Sequence, residues 1–273
     1  YVIAQDLNGN IASNPSFGLV ATDVNTVTTA PTTPNSTTVG TTLNGTYTVG
    51  AGGNYTTLTA AINAYNTGCL AGPVVFELTD ATYSASETFP ISIGLNNDAS
   101  ATNTLTIRPT GTATITGTNA TSLITFNGAR YVTIDGRIGS TGTTHSLTIA
   151  NTTGPAVVLI NDANNNTVKY SDLKSDNTST TSGVVLFSTT TGANGNDNNT
   201  IDNCNIGPNA SNPTNGIFAS GTTTSSTHFN SGNVISNNNI FDFYNSTSTS
   251  NGGTGVSVSS GNTDWSVTGN SFY

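Results

Sequence analysis

The sequence predicts an all-β protein wound as a stack of parallel coils, and three observations carry that expectation. Only 34% of the 273 residues are hydrophobic and only 7% charged, yet Val, Ile and Thr recur throughout. Disorder couples low hydrophobicity to high charge and scarce β-branched residues, which is not this composition. Second, an apolar anchor returns as Ile134, Val168, Ile201, Ile235 and Val267, at intervals of 34, 33, 34 and 32 residues. Third, two places beyond each anchor stand Gly136, Tyr170, Asn203, Asn237 and Gly269. Gly and Asn tolerate positive φ with little strain, so this position reads as a repeated left-handed corner.

The charge balance excludes whole classes of partner. Five Lys and Arg against fourteen Asp and Glu leave a net charge of −9, which repels nucleic acid and anionic membrane surfaces. No apolar run approaches the length of a membrane span, and no signal-peptide pattern opens the chain. Met is absent, so the numbering is expected to begin inside a processed or longer chain. Cys69 and Cys204 stand in unrelated contexts, which argues against a disulfide framework and leaves an exported location open.

Residues 1–30 open with YVIAQDLNGNIASNP, in which Tyr1, Ile3 and Ile11 flank Asn8-Gly9. This reads as a β-hairpin around a tight turn. The run from Asp6 to Asn10 loosely suggests a calcium loop, but the closing Glu that such a loop needs is missing. Two strands alone are not a stable unit, so the hairpin is expected to end an incomplete β-sandwich module. The Pro-bearing stretch TTAPTTPNSTTVG (Thr28–Gly40) falls largely in a stiff linker over 31–45. The coiled region is assigned to 46–273.

Leu58, Ala61, Ile62 and Tyr65 share one face at helical spacing, and Gly68 ends the segment. A short helix there is expected to cover the open end of the strand stack, where backbone groups would otherwise stay unpaired. Strands follow at VVFEL (Val74–Leu78), ISI, LTI, ATIT and LITF. Five places after each anchor come Gly139, Leu173, Ile206, Ile240 and Phe272, four of them apolar, and a further strand recurs as VVLI, VVLF, GIFA and GVSV. Each repeat is then strand, corner, strand, loop and strand, stacked in parallel about 4.8 Å from the next. The asparagine-rich run NNTIDNCNIG (Asn198–Gly207) becomes one coil corner, with Ile201 and Ile206 inward, Asn203 at the bend, and stacked Asn side chains bonding along the axis.

YTVGAGGNYTTLTAAINAYNTG, GPVVFELTDATY and the recurring NNT-V, NNT-I and GNV-I coils resemble the right-handed parallel β-helix of the pectin-lyase-like superfamily. More narrowly, they resemble large Thr/Asn-rich surface proteins of Bacteroidetes, including gliding-type adhesins exported by the type IX secretion route. The resemblance implies an extracellular, cell-surface rod, preceded by an immunoglobulin- or fibronectin-like module whose last hairpin is residues 1–30. It also implies a chain that continues to a C-terminal sorting domain. The fold class expected is a right-handed parallel β-helix with a short N-terminal capping helix, plus that β-sandwich fragment.

Several β-helix proteins cleave acidic polysaccharides, so the resemblance also admits an enzyme. One place after each anchor lie Asp135, Lys169, Asp202, Ser236 and Thr268. Asp135 and Asp202 would then sit two coils apart, roughly 9–10 Å, near the upper carboxylate separation of inverting glycosidases. The competing reading is an exposed Asp–Lys–Asp ladder with no catalytic role. The Asp-Asp, Gly-His-Gly and Arg-x-Lys motifs of polygalacturonase-like members are missing. His145 and His228 have no carboxylate near them in sequence, and Arg137 and Lys174 beside Asp135, Asp172 and Asp176 read as solvated pairs. Cys204 shares a column with Ser171, Asn238 and Asn270 as a small stacked residue, whereas Cys69 is expected to be buried at the cap; no metal or cofactor site is expected. TATITGT (Thr112–Thr118) alternates Thr on one face, but an ice-binding surface needs Thr at one site in many coils, which later coils do not provide. Asn-x-Ser/Thr triplets follow from composition and are weak evidence for glycosylation. The expected function is a non-catalytic adhesive or structural rod making weak multivalent contacts with glycans or surfaces, able to self-associate into filaments. The alternatives are a polysaccharide hydrolase or lyase and a carbohydrate-binding module.

Overall fold

The computed structural model describes residues 2–8, 11–14, 24–26, 41–244 and 252–273. They belong to two units, residues 1–40 and 41–273. In the first, Val2–Gln5 and Ile11–Asn14 pair antiparallel with Gln5 opposite Ile11. The hairpin is therefore present, joined by residues 6–10 rather than by a two-residue Asn-Gly turn. Asn8 donates its backbone N–H to Asp6 Oδ1 at 2.9 Å, a local turn. Most of the expected linker, through residue 40, lies outside the described residues.

The second unit is a right-handed parallel β-helix built from three main sheets. Its first strand, Thr42–Val49, starts ahead of residue 46. The first sheet continues through Cys69–Leu78, Leu105–Pro109, Val132–Asp135, Thr167–Lys169, Thr200–Asp202, Val234–Ser236 and Ser266–Thr268. The anchors pair as expected: Ile134 with Val168, Val168 with Ile201, Ile201 with Ile235, and Ile235 with Val267. Ile107 and Phe76 extend the column toward the N-terminus. The second sheet stacks Tyr83, Ile115, Ile149, Leu173, Ile206, Ile240 and Phe272. The third stacks Ile93, Phe126, Leu159, Phe187 and Ala219. Inward side chains of all three sheets form one continuous apolar core, and burying each Ile or Leu stabilises the fold by about 1.5–3 kcal/mol.

One expected column member differs. Ile149, not Gly139, follows Ile134 in the second sheet. Fifteen residues separate Ile134 from Ile149, where five separate Val168 from Leu173. The chain leaves the first sheet at Gly136 and enters the second after Ser146, whose N–H donates to the Gly136 carbonyl at 2.7 Å. The excursion between them carries a short 3-10 turn, Ile138–Ser140, with Gly139 at φ 60°.

Two corners repeat in left-handed geometry. After the first sheet, Tyr170, Asn203, Asn237 and Gly269 have φ of 50°, 50°, 56° and 68°. Gly136 is not among the residues with positive φ; it is required for another reason, since a Cβ there would lie 1.9 Å from the Tyr170 carbonyl oxygen. Before the first sheet, Tyr131, Asn165, Asn198, Gly232 and Asp264 form a second left-handed column, with φ between 55° and 66°.

Asparagine amides hold these corners from inside. Asn233 Oδ1 accepts from the backbone N–H of Asn199 at 2.9 Å and from its Nδ2 at 3.2 Å. Asn199 Oδ1 does the same for Asn166, at 3.1 and 2.9 Å. Parallel ladders join Asn196 to Asn230 and Asn238 to Asn270. Every such amide pairs a backbone N–H that a buried bend would leave without a partner, at a cost of about 1–3 kcal/mol each.

The helix Leu58–Thr67 buries Leu58, Ala61, Ile62 and Tyr65, the face the sequence identified, and Thr57 caps its start. It stands above the third sheet's first strand, Ile91–Gly94. Asn66 accepts the Gly94 N–H at 2.8 Å and donates Nδ2 to the Ser92 carbonyl at 2.9 Å. One carboxamide thus replaces the strand that would otherwise pair with this edge. Glu87 accepts the N–H groups of Leu58 and Thr59, at 2.8 and 2.7 Å, where a helix start favours negative charge. Cys69, expected at a buried cap, is exposed at the start of its strand.

Candidate functional site

Asp135, Arg137, His145, Lys169, Asp172 and Asp202 meet at the corner between the first two sheets, whereas His228 lies apart in the 3-10 turn Ser226–His228. On the outer face of the first sheet, Asp135 pairs with Lys169 and Lys169 with Asp202. Ser236 and Thr268 continue the column. Toward the N-terminus it is extended by Arg108, the residue after Ile107, and by Glu77, which pairs with Arg108 in register. The charges alternate in sign from Glu77 to Asp202.

Contacts within the column close it. Arg108 Nη2 meets Glu77 Oε1 at 2.8 Å. Arg137, at the start of the excursion, grips Asp135 bidentately, with Nε to Oδ1 at 2.9 Å and Nη2 to Oδ2 at 2.8 Å. Lys169 Nζ lies 3.6 Å from Asp135 Oδ2. Asp202 accepts from Ser236 Oγ at 2.6 Å, Asn203 Nδ2 at 2.7 Å and Asn237 Nδ2 at 3.0 Å. The expected solvated ladder therefore needs correction at Asp135, whose side chain is 1% exposed. The excursion brings Arg137 across it, and the Arg137 guanidinium then lies 4.1 Å from the Tyr170 ring centre.

Electrostatics follow from these contacts. Burial alone pushes the Asp135 carboxyl up, but the Arg137 hydrogen bonds and the charges of Arg137 and Lys169 outweigh it and hold it below its ordinary value. Burial also acts upward on Asp202, where hydrogen bonds from Ser236, Asn203 and Asn237 and the Lys169 charge win and lower it. The Asp135 hydrogen bond raises the Arg137 pKa further. Both candidate carboxyls are thus stabilised as anions, the opposite of what a general acid needs.

At the other end of the excursion, His145 Nδ1 lies 2.9 Å from Asp172 Oδ1, and Asn205 Nδ2 donates to the same oxygen at 2.8 Å. His145 stands edge-on to Tyr170. A carboxylate partner that is missing near His145 in sequence is thus supplied from the next coil. Lys174 makes none of the ion pairs among the described residues. Cys204 is buried beneath this corner, where its backbone N–H donates to Asn238 Oδ1 at 2.8 Å. Burial pushes its thiol up to about 12, so it is the small stacked residue expected rather than a nucleophile.

Six other carboxylates accept backbone N–H groups about one coil away: Asp80 from Ala51, Glu87 from Leu58, Asp98 from Leu70, Asp162 from Ala193, Asp176 from Ala210 and Asp197 from Ser231. Much of the acidic excess therefore fastens one coil to the next. Asp197 is raised, by burial first and then by the nearby Asp162 charge, against the Ser231 hydrogen bond. No sequence signal marked it, because Asp162 and Ser231 come from neighbouring coils.

Threonines stack where the sequence did not suggest it. Thr106, Thr133, Thr167 and Thr200 form a half-buried column on the first sheet. The column containing Thr114 of TATITGT runs through Thr82 and Thr148 and then becomes Asp172. Among the described residues, no group of three or more His, Cys, Asp or Glu is placed to hold a metal, and no helix is long and apolar enough to cross a membrane. No family model, no curated protein and no solved structure matches this chain.

Proposed function

We propose that the chain is a non-catalytic structural and adhesive segment of an extracellular cell-surface protein, a stiff rod that makes weak multivalent contacts with glycans or other surfaces. One observation carries this reading: each charge of the outer column from Glu77 to Asp202 is already answered by a neighbouring side chain. A polysaccharide hydrolase or lyase would need a carboxyl poised to give up a proton or a free base beside it, and Asp135 and Asp202 are instead held ionised. Asparagine ladders and carboxylate links between coils supply stiffness, and a Thr-, Asn- and Ser-covered surface supplies many weak hydrogen-bonding groups. The resemblance to Thr/Asn-rich Bacteroidetes surface proteins supports export by the type IX route and side-by-side association into filaments. It also supports residues 1–30 as the end of an immunoglobulin- or fibronectin-like module.

The test is reducing-end release from a panel of neutral and acidic polysaccharides, run beside retention of the chain on glycan-coated beads and whole cells. Retention without release is expected. Release that disappears in Asp202→Asn or Asp197→Asn would replace this reading with a carbohydrate-active enzyme.

A further inference from the structure

We propose that the cleft between the helix Leu58–Thr67 and the strand Ile91–Gly94 binds a short, uncharged saccharide. The proposal rests on the surface-contact reading above and gives that contact a place. The cleft has a volume of about 400 Å³ and no ionisable side chain in its lining, within the range of small-ligand sites. Its apolar lining is the exposed Pro90, against which the C–H face of a sugar ring can lie, with the buried Ile62 and Ile91 also at its wall. Around it stand the side chains of Asn63, Thr88, Ser92 and Asn127.

Asn63, Thr88 and Asn127 are exposed and Ser92 is half-buried, unlike the buried asparagines of the corners. Asn166 and Asn199 are locked into ladders. Among the described residues, none hydrogen-bonds the Asn63 amide, the Thr88 hydroxyl or the Ser92 hydroxyl, and Asn127 accepts one bond from Asn161 while its Nδ2 stays unpaired. Amide and hydroxyl groups without a hydrogen-bond partner among the described residues thus line one cleft. The backbone edge below is closed to an added peptide strand, because Asn66 already occupies the Ser92 carbonyl and the Gly94 N–H. Recognition is left to neutral side chains, which match sugar hydroxyls. An anionic sugar would find no cation in the cleft.

Amide NMR spectra of the chain titrated with maltotriose, cellotriose and mannotriose, with trigalacturonate as the charged comparison, test this directly. At least one neutral trisaccharide is expected to bind saturably with Kd on the order of millimolar, shifting residues around Asn63 and Ser92, and trigalacturonate more weakly. Asn63→Ala with Ser92→Ala removes two polar groups and no hydrogen bond among the described residues, so the remaining spectrum is expected to stay unchanged. Each lost hydrogen bond weakens binding about fivefold. Ser92→Phe, which fills the cleft, is expected to abolish binding. The proposal is overturned if no neutral trisaccharide shifts the cleft, or if both variants bind as the parent does. If those variants keep full retention on neutral-glycan beads, the surface-contact reading stands and the cleft falls. If the parent itself is not retained by any glycan or cell surface, the broader reading falls first.

Discussion

Asn233 reaches back one coil and accepts both the backbone N–H and the side-chain Nδ2 of Asn199 with a single oxygen. Both residues are fully buried. The pair shows how a chain with so few apolar residues closes its corners. Amides run along the axis and satisfy the backbone that each bend turns inward.

Asn199→Ala removes the acceptor for two Asn166 donors and the donor to the Ala163 carbonyl. The expected cost is about 2–4 kcal/mol, since buried groups are left unpaired. Asn239→Ala, an exposed amide bonded among the described residues only to Asn205, is expected to change stability by less than about 0.5 kcal/mol. Urea unfolding of the two variants checks the contrast.

The corner beneath Tyr170 admits no methyl group. Gly136→Ala places a Cβ against the Tyr170 carbonyl, and a loss of about 1–3 kcal/mol is expected from the forced shift. At Gly111 an added Cβ meets nothing within 4 Å, so Gly111→Ala is expected to be neutral within about 0.5 kcal/mol. Thermal midpoints distinguish the two.

Acid sensitivity follows from the lowered carboxyls. The folded-state pKa values of Asp135 and Asp202 lie below the ordinary 3.8. Their contribution is complete above pH 3.8 and is lost as pH falls from there through the folded values. Asp135→Asn is expected to cost about 3 kcal/mol at pH 7, because Arg137 and Lys169 lose their anion, and to flatten the acid limb. Asp197, raised by burial, acts with the opposite sign. Its ionisation weakens the fold as pH rises through its folded pKa, so Asp197→Asn is expected to remove that decline and raise stability at pH 7. Urea midpoints between pH 2 and 8 measure both effects.

Asn66 holds the third sheet's edge closed. Asn66→Leu exposes the Ser92 carbonyl and the Gly94 N–H, and an open strand edge recruits other strands. Increased self-association, read by light scattering at equal concentration, is the expected outcome.

The sequence made the anchor columns legible because inward residues must stay apolar at a fixed place in each coil. Ile201, Ile206, Asn203 and the helix face from Leu58 to Tyr65 all stand where that rule puts them. The excursion between Gly136 and Ser146 was hidden because the period did not change. That coil lengthens one corner and shortens another, with nine residues from Leu159 to Val168 where fourteen separate Phe187 from Ile201. Gly139 in an apolar column was its only trace. Once the excursion is in place, Arg137 folds back over Asp135, two residues away in sequence, and His145 meets Asp172 of the next coil. The left-handed column from Tyr131 to Asp264 carries the same signature as the identified one, at Asn165, Asn198, Gly232 and Asp264.

The register of the coils can be measured with engineered disulfides in a Cys69→Ser background. Thr167 and Thr200 are direct neighbours on adjacent coils, about 4.8 Å apart between Cα atoms and within disulfide reach. Thr167→Cys with Thr200→Cys is expected to oxidise fully while remaining folded, whereas Thr167→Cys with Asp202→Cys, displaced two places along the strand, is expected to stay reduced. Oxidation of the displaced pair, or of neither, would contradict the stacking of one coil on the next.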